Sequence, residues 1–453
     1  MPDAVLRLRS RLSVHRGPGQ LVALGFAAAI AVGTVLLSLP AAGRPGHAAS
    51  LLEALFTATS AVCVTGLAVV DTATAWSGFG QVVILVLIQV GGFGIMTLAS
   101  LLGVLLSRRL GLRTRLTAAA ATRSVGLGDV RRVLLGVGVI TAVVEVGTAA
   151  VLAARLTVAY DEPVGRALWL GVFHSVSAFN NAGFALYPDS LVRFASDAWV
   201  TLPVTAAVLV GGIGFPVLLE LHRNPRRPRR WSLHTRLTLL LTAVLLPAGS
   251  LLVLLGEWSN PATLGPMSTP TKLLNAFVHG VMPRTAGFNT VDVAGMNPGT
   301  WMGNDVLMFI GGGSAGTAGG IKLTTFAVLL FVIWSELRGD PDVTVFDRRI
   351  STTTQRQALS VALLGVAAVV GPAVLITLTS SFSGDQVLFE VVSAFATVGL
   401  STGITADLAG WHQVLLIGLM FVGRLGPITL GTALALRERR RLFRHPESAP
   451  IIG

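Results

Sequence analysis

Along the chain, long apolar runs alternate with short polar connections. The runs lie at roughly 21–42, 78–106, 133–156, 199–221, 235–256, 304–334, 358–380 and 411–436. Each approaches or exceeds the ~18–20 residues that a helix needs to cross a hydrocarbon core ~30 Å thick, so eight spans are predicted. The first run follows Arg7, Arg9, Arg11 and Arg16, as a signal peptide would. It is too long for one and has a partner span downstream, so it reads as a retained helix.

Composition agrees with lipid as the main solvent. Charged residues are 12% of the 453, the hydrophobic set is 52%, and mean hydropathy is +0.72, against about 25% charge in a soluble domain. The net charge of +12 would suggest nucleic acid in a soluble protein. Here the arginines gather in alternate connections: the N-terminal tail, 107–132, 222–236 (Arg223, Arg226, Arg227, Arg229, Arg230 and Arg236) and the C-terminal RERRRLFR of 437–444. The positive-inside rule makes those segments, and both chain ends, cytoplasmic. The other connections carry mostly acids, among them Asp71, Asp161, Asp189, Asp292 and Asp407; as an outer face they raise the local cation concentration. Cys63 is the only cysteine and none of the eight histidines falls in an HExxH pattern. Disulfides and a multi-cysteine metal site are thereby excluded, and enzyme chemistry has little to work with.

A fourfold repeat runs through the acidic connections: FTATSAVCVTGLAVVD (56–71), FHSVSAFNNAGFALYPD (173–189), FVHGVMPRTAGFNTVD (277–292) and FEVVSAFATVGLSTG (389–403). In each copy a Phe (Phe56, Phe173, Phe277, Phe389) stands ten residues before a Gly (Gly66, Gly183, Gly287, Gly399), and three copies share Ser-Ala six and five positions before it. The glycines are 117, 104 and 112 residues apart, dividing the chain into four units of span, short segment, span. Roughly 25 to 30 residues further on come Gly91-Gly92-Phe93-Gly94, Gly211-Gly212-Ile213-Gly214 and Gly311-Gly312-Gly313; the fourth unit departs with Gly423-Arg424-Leu425-Gly426.

Ten residues from Phe to Gly make a helix of about 15 Å, half the hydrocarbon thickness, so each short segment enters and leaves by one face. Backbone beyond its end is tolerated at membrane depth only inside protein or along a water-filled path. Four such stretches around one axis make a pore, and helix C-termini aimed at it favour a cation. The tetrapeptides there are Val64-Thr65-Gly66-Leu67, Asn181-Ala182-Gly183-Phe184, Thr285-Ala286-Gly287-Phe288 and Thr397-Val398-Gly399-Leu400. The last is similar to the start of a K⁺-channel filter, in which carbonyls replace the hydration shell of K⁺. Glycine permits positive φ and leaves no Cβ in the lumen.

At NNAGF, RTAGFNT and ATVGLSTG the chain resembles the Trk/Ktr/HKT superfamily of potassium transporters, over about residues 20–440. The resemblance implies an all-α integral membrane protein of four M1–P–M2 repeats, with eight transmembrane helices and four re-entrant pore helices around one pseudo-fourfold pore. It implies K⁺ as the transported ion, since all four filters carry Gly where relatives with Ser in the first favour Na⁺, and it leaves a dependence on Na⁺ open. A first span reached after about twenty residues, and a tail ending Ile451-Ile452-Gly453, are most similar to the Ktr-type membrane subunit.

Six of the ten residues Gly311-Gly312-Gly313-Ser314-Ala315-Gly316-Thr317-Ala318-Gly319-Gly320 are glycine, each costing about 1 kcal/mol against Ala in a helix. The span should break there into a mobile loop, matching the family's intramembrane gating loop; close helix packing through small residues is the other reading. Arg424 lies in mid-span, where an ionisable group points to function. The family's Arg at this place resembles an electrostatic barrier to cations, a role compatible with a structural Arg bonded to loop carbonyls. Lys322 should mark the cytoplasmic end of the loop.

The domain reading is a cytoplasmic tail over 1–20, pore repeats at 21–110, 130–222, 235–336 and 353–440, and a C-terminal tail over 441–453. Ktr-type relatives form homodimers on a cytoplasmic ring of nucleotide-binding RCK-domain proteins, for which 107–132 and 222–236 are candidate docking surfaces. The family places the chain in a bacterial inner membrane. Alternatives are a Trk-type subunit, the channel-like subunit of a potassium-pumping P-type ATPase, which is generally longer, or more remotely a secondary carrier or membrane enzyme. A carrier would show inverted repeats and an enzyme clustered His, Asp or Cys; neither pattern is present.

Overall fold

The computed structural model describes residues 18–46, 48–109 and 127–436. The N-terminal arginines, most of the basic segment 107–132 and the C-terminal RERRRLFR lie outside the described residues.

The described chain is mainly helical and falls into four groups. The first holds α1 (Pro18–Leu37), α2 (Leu51–Val62) and α3 (Gly78–Arg109); the second α4 (Leu127–Tyr160), α5 (Val164–Phe179), α6 (Ala198–Ile213) and α7 (Phe215–Arg223). The third holds α8 (Leu233–Glu257), α9 (Thr269–Val281), α10 (Pro298–Phe309) and α11 (Leu323–Arg338); the fourth α12 (Thr352–Thr379), α13 (Gly384–Ala396) and α14 (Gly410–Leu436). Among the described residues four helices are long and apolar enough to cross a membrane, Gly78–Thr97, Leu134–Tyr160, Leu233–Glu257 and Thr352–Thr379, and the bent pair α6–α7 makes a fifth if it is one span. Their outward residues are apolar, as at Val143, Val146 and Leu363, each more than 60% exposed, which suits contact with acyl chains and not water.

Two return helices are broken. Between α6 and α7 the chain turns by 95° at Gly214, whose φ is +102°, where a continuous span over 199–221 was expected. The break that the glycine content predicts in the third group falls between Phe309 and Leu323. Among the described residues the all-α expectation has one exception, an antiparallel ribbon of β1 (Thr344–Val345) and β2 (Arg348–Arg349) between α11 and α12. Positive φ at Phe346 and Asp347 supplies the two-residue turn that such a ribbon needs.

The short helices α2, α5, α9 and α13 hold 12, 16, 13 and 13 residues. They start earlier than the Phe and stop short of the Gly that the sequence reading used as limits. Capping fixes two of the starts: Ser50 and Glu53 close a reciprocal capping box on α2, and Ser383 and Gln386 do so on α13, satisfying amides that the helix leaves unpaired. Each short helix packs against the return helix of the preceding group: α5 on α3, α9 on α6, α13 on α10, and α2 on α14. That last contact joins the fourth group to the first and closes the circle.

Phe56, Phe173 and Phe389 are fully buried in this circle, but Phe277 is 39% exposed. In the third group Val278 takes the inward slot, because the helix is shifted by one residue relative to its glycine.

Candidate functional site

Each short helix ends in a turn that reverses the backbone twice. Val64, Asn181, Thr285 and Thr397 have φ of 56°, 58°, 68° and 51°, and the glycines two residues later, Gly66, Gly183, Gly287 and Gly399, have 90°, 69°, 72° and 93°. Positive φ at three β-branched residues is costly and persists only where the surroundings enforce it. Alternation of positive and negative φ turns successive carbonyls toward one side of the chain, whereas a strand alternates them.

The four glycines form a closed ring. A Cβ added to Gly66 would stand 3.0 Å from the Gly183 Cα, one on Gly183 3.0 Å from Gly287, one on Gly287 3.2 Å from Gly399, and one on Gly399 3.1 Å from Gly66. Each would also run into the carbonyl oxygen just before the next glycine, those of Ala182, Ala286, Val398 and Thr65 in turn. No side chain larger than hydrogen fits, and those four preceding residues are fully buried. Leu67, Phe184, Phe288 and Leu400 follow the ring and are buried as well.

The serine shared by three repeats supports the ring. Gly66 N donates to Ser60 Oγ and Gly399 N to Ser393 Oγ, both at 3.0 Å, while Ser177 Oγ donates to the Phe184 carbonyl at 2.8 Å. The third copy has Val281 here and uses Ala286 N to the Met282 carbonyl at 3.0 Å.

A second support escaped sequence reasoning. His174 Nε2 accepts from Leu186 N at 3.2 Å, His279 Nε2 from Thr290 N at 3.1 Å, and Glu390 Oε1 from Thr402 N at 2.8 Å. Each lies on a short helix and anchors the strand leaving the ring, and Glu390 also accepts from the Ser401 and Thr405 hydroxyls.

The glycine-rich segment 311–320 lies against the first residues of these turns. Thr317 Oγ1 donates to Asn181 Oδ1 at 2.8 Å, Gly319 N to Thr285 Oγ1 at 3.3 Å, and Gly313 N to the Gly212 carbonyl at 2.8 Å. A Cβ on Gly319 would meet Ala396 O at 2.6 Å and Thr397 Cβ at 3.1 Å, so the segment touches three groups. Gly311, Gly312, Gly313, Gly316 and Gly319 all stand where a Cβ would collide with backbone or with Ala318. Close approach explains these glycines, and Gly320 adds a left-handed turn with φ of 65°. Ser314 bonds the Thr324 hydroxyl at 2.9 Å, and Phe215 N donates to the Ala315 carbonyl at 3.2 Å, which ties the bend at Gly214 to the segment.

Two cations hold its carbonyls. Arg424, 3% exposed, donates from Nη1 to the Thr317 carbonyl, and its Nε and Nη2 have no hydrogen-bond partner among the described residues. Lys322 Nζ donates to the Ala318 carbonyl, so this lysine fastens the segment as well as following it. No group of three or more His, Cys, Asp or Glu that could hold a metal occurs among the described residues.

The TrkH family, described as Cation transport protein, matches residues 28–444. Ktr system potassium uptake protein B of Bacillus subtilis (strain 168) is 40% identical over 437 residues, 96% of this chain and 97% of that protein. The protein of the same name from Vibrio alginolyticus is 36% identical over 438 residues, 96% of this chain and 95% of that one. Potassium/sodium uptake protein NtpJ of Enterococcus hirae is 34% identical over 455 residues, 99% of each. The crystal structure of the potassium transporter TrkH from Vibrio parahaemolyticus shares the fold, with a TM-score of 0.70 at 19% identity, over 93% of this chain and 86% of that one.

Proposed function

Since the chain belongs to the TrkH family of cation transport proteins, we propose that it is the membrane subunit of a Ktr-type potassium uptake system and conducts K⁺ through the ring of Gly66, Gly183, Gly287 and Gly399. The four groups of helices act as M1–P–M2 repeats at 21–110, 130–222, 235–336 and 353–440, with α2, α5, α9 and α13 as re-entrant pore helices. The observation that carries the reading is the ring itself: four positive-φ glycines in mutual backbone contact. Stacked carbonyls there exchange for the hydration shell of K⁺, and a Cβ would fill the path.

The segment 311–320 is the gate and Arg424 its latch and electrostatic barrier. A guanidinium beneath a cation filter repels the ion, and its bond to Thr317 keeps the segment across the path. Opening requires that bond and those to Asn181, Thr285 and Gly212 to be exchanged, which a partner can drive from the cytoplasmic side. That partner is a nucleotide-binding RCK-domain ring bound to a homodimer of this chain, in a bacterial plasma membrane with both termini cytoplasmic. The relative named for potassium and sodium uptake makes Na⁺ the competing ion to measure.

K⁺ and Na⁺ flux into proteoliposomes, with and without Gly66→Ser, tests the reading. K⁺-preferring flux that loses its preference in the variant supports it. Equal K⁺ and Na⁺ flux in the parent, or an unchanged ratio in the variant, would remove the ring as the filter.

A further inference from the structure

Glu145 lies near the middle of the membrane-length stretch Leu134–Tyr160 of α4, and Gln89 within Gly78–Thr97 of α3. An ionisable side chain at such depth points to function. Both side chains converge on Asn180, which is fully buried, caps the C-terminus of α5 and directly precedes Asn181, the first residue of the second ring turn.

Asn180 Nδ2 donates to Gln89 Oε1 at 2.8 Å, to the Val176 carbonyl at 2.9 Å and to Glu145 Oε1 at 3.2 Å. A longer bond, 3.5 Å, runs from Gln89 Nε2 to Glu145 Oε2. Ser175 Oγ also donates to the Glu145 backbone carbonyl, which fixes the height of α5 against α4. Gly92 makes room for the cluster, since a Cβ there would run into Asn180 Oδ1.

Counting donors and acceptors explains why the third member is a carboxyl. The Val176 carbonyl holds Asn180 Nδ2 in place as a donor, so Gln89 and residue 145 must each turn an acceptor toward it. Gln89 has then used its oxygen and offers Nε2 to residue 145, which must answer with a second acceptor. A carboxyl presents two acceptors, whereas a primary amide presents one acceptor and one donor. With glutamine at 145, one donor would face another however the two glutamines flip. A buried polar network with such a mismatch is worse than none.

We propose that Glu145 is a positioning residue that sets ion specificity: paired with Gln89, it holds Asn180 and thereby the backbone of the second ring turn, Asn181 to Gly183. The effect on specificity rests on the transport reading above; the effect on the turn does not.

The test compares three full-length proteins: the parent, Glu145→Gln, and the exchange Gln89→Glu with Glu145→Gln. In the exchange the carboxyl at 89 accepts from Asn180 and from the amide at 145, so every donor again meets an acceptor with the bridging bond reversed. Amide hydrogen exchange in lipid nanodiscs reads the turn directly, because Asn181 N and Ala182 N donate to the carbonyls of Ala178 and Ser177 at 3.0 and 2.7 Å. In Glu145→Gln these amides should exchange roughly tenfold faster, and in proteoliposomes the K⁺/Na⁺ flux ratio should fall several-fold. The exchange variant should return both to near the parent values. Parent-like amide exchange in Glu145→Gln, or no recovery in the exchange variant, overturns the pairing. Amide exchange that moves and recovers while the flux ratio stays constant overturns the role in specificity, provided Gly66→Ser shifts the ratio in the same vesicles. If Gly66→Ser does not shift it either, the ring fails as the filter and the role in specificity falls with it, while the positioning of the turn stands.

Discussion

Arg424 on α14 donates a hydrogen bond to the carbonyl of Thr317, 107 residues earlier in the chain. The bond ties the fourth group of helices to the glycine-rich segment of the third, and it joins the two features of the return helices that depart most from a plain apolar span.

On the proposed gating role, Arg424→Ala removes both the charge and the hydrogen bond to the Thr317 carbonyl. A hydrogen bond to a charged group contributes roughly 1.5–3 kcal/mol, so the open population should rise about ten- to a hundredfold, read as K⁺ flux into proteoliposomes. Arg424→Lys keeps the charge and should retain most of the restraint. Flux in the alanine variant equal to that of the parent, at normal protein yield, would leave Arg424 with no part in gating.

Ser60→Ala and Ser393→Ala each strip a glycine amide of the ring of its acceptor. A buried amide without a partner costs about 1–3 kcal/mol, enough to let the carbonyls reorient. The K⁺/Na⁺ flux ratio should fall several-fold in either variant and further in the double. Ser177→Ala, whose hydroxyl serves the Phe184 carbonyl instead, should change the ratio less. Unaltered ratios would mean that the turns hold themselves.

Glycine at a fixed distance behind a short apolar segment is a local pattern, so the four ring positions were legible in the chain. What supports them was less so. His174, His279 and Glu390 perform one task with two different side chains, and in the third group the register slips by one, so that alignment on Phe277 pointed to an exposed residue. The bend at Gly214 was hidden for another reason. Gly211–Gly214 reads like Gly91–Gly94, yet the latter stays within α3. The second group bends where Phe215 N finds the Ala315 carbonyl and Gly212 accepts from Gly313, a distant partner that no local pattern contains. The glycines of 311–320 were legible as a helix break, but the backbone they approach, at Gly212, Ile213 and Ala396, is distant in sequence and outside any local pattern.

Asp197, at the start of α6, gives stability a dependence on pH. Burial pushes its carboxyl upward, but hydrogen bonds from Arg155 and Tyr160 outweigh that and hold it below the ordinary carboxylate range. A depressed folded value means that its stabilisation is present above the unfolded value, about 3.9, and is lost as pH falls through the folded one. Thermal unfolding of the detergent-solubilised protein should therefore lose a step below about pH 4 when Asp197→Asn is compared with the parent. Parallel curves would show that the carboxylate is not coupled to folding.

Glycines of the return helices offer a sharper test of the packing. Gly91, Gly211 and Gly423 each face a carbonyl oxygen of a short helix, those of Val62, Phe179 and Phe395. Each of those residues stands four positions before a ring glycine. A Cβ at any of them would displace the end of the short helix and the turn that follows it. Overpacking of this kind costs roughly 1–3 kcal/mol, so Gly91→Ala, Gly211→Ala and Gly423→Ala should each lower the unfolding temperature and the K⁺/Na⁺ ratio together. Gly418, also on α14, has nothing within 4 Å of its Cβ position. Gly418→Ala should leave selectivity alone and gain up to about 1 kcal/mol from helix propensity. If the three packed positions tolerate alanine as Gly418 does, the short helices are not seated on the return helices of their own groups through these glycines. The ring would then need another source of rigidity.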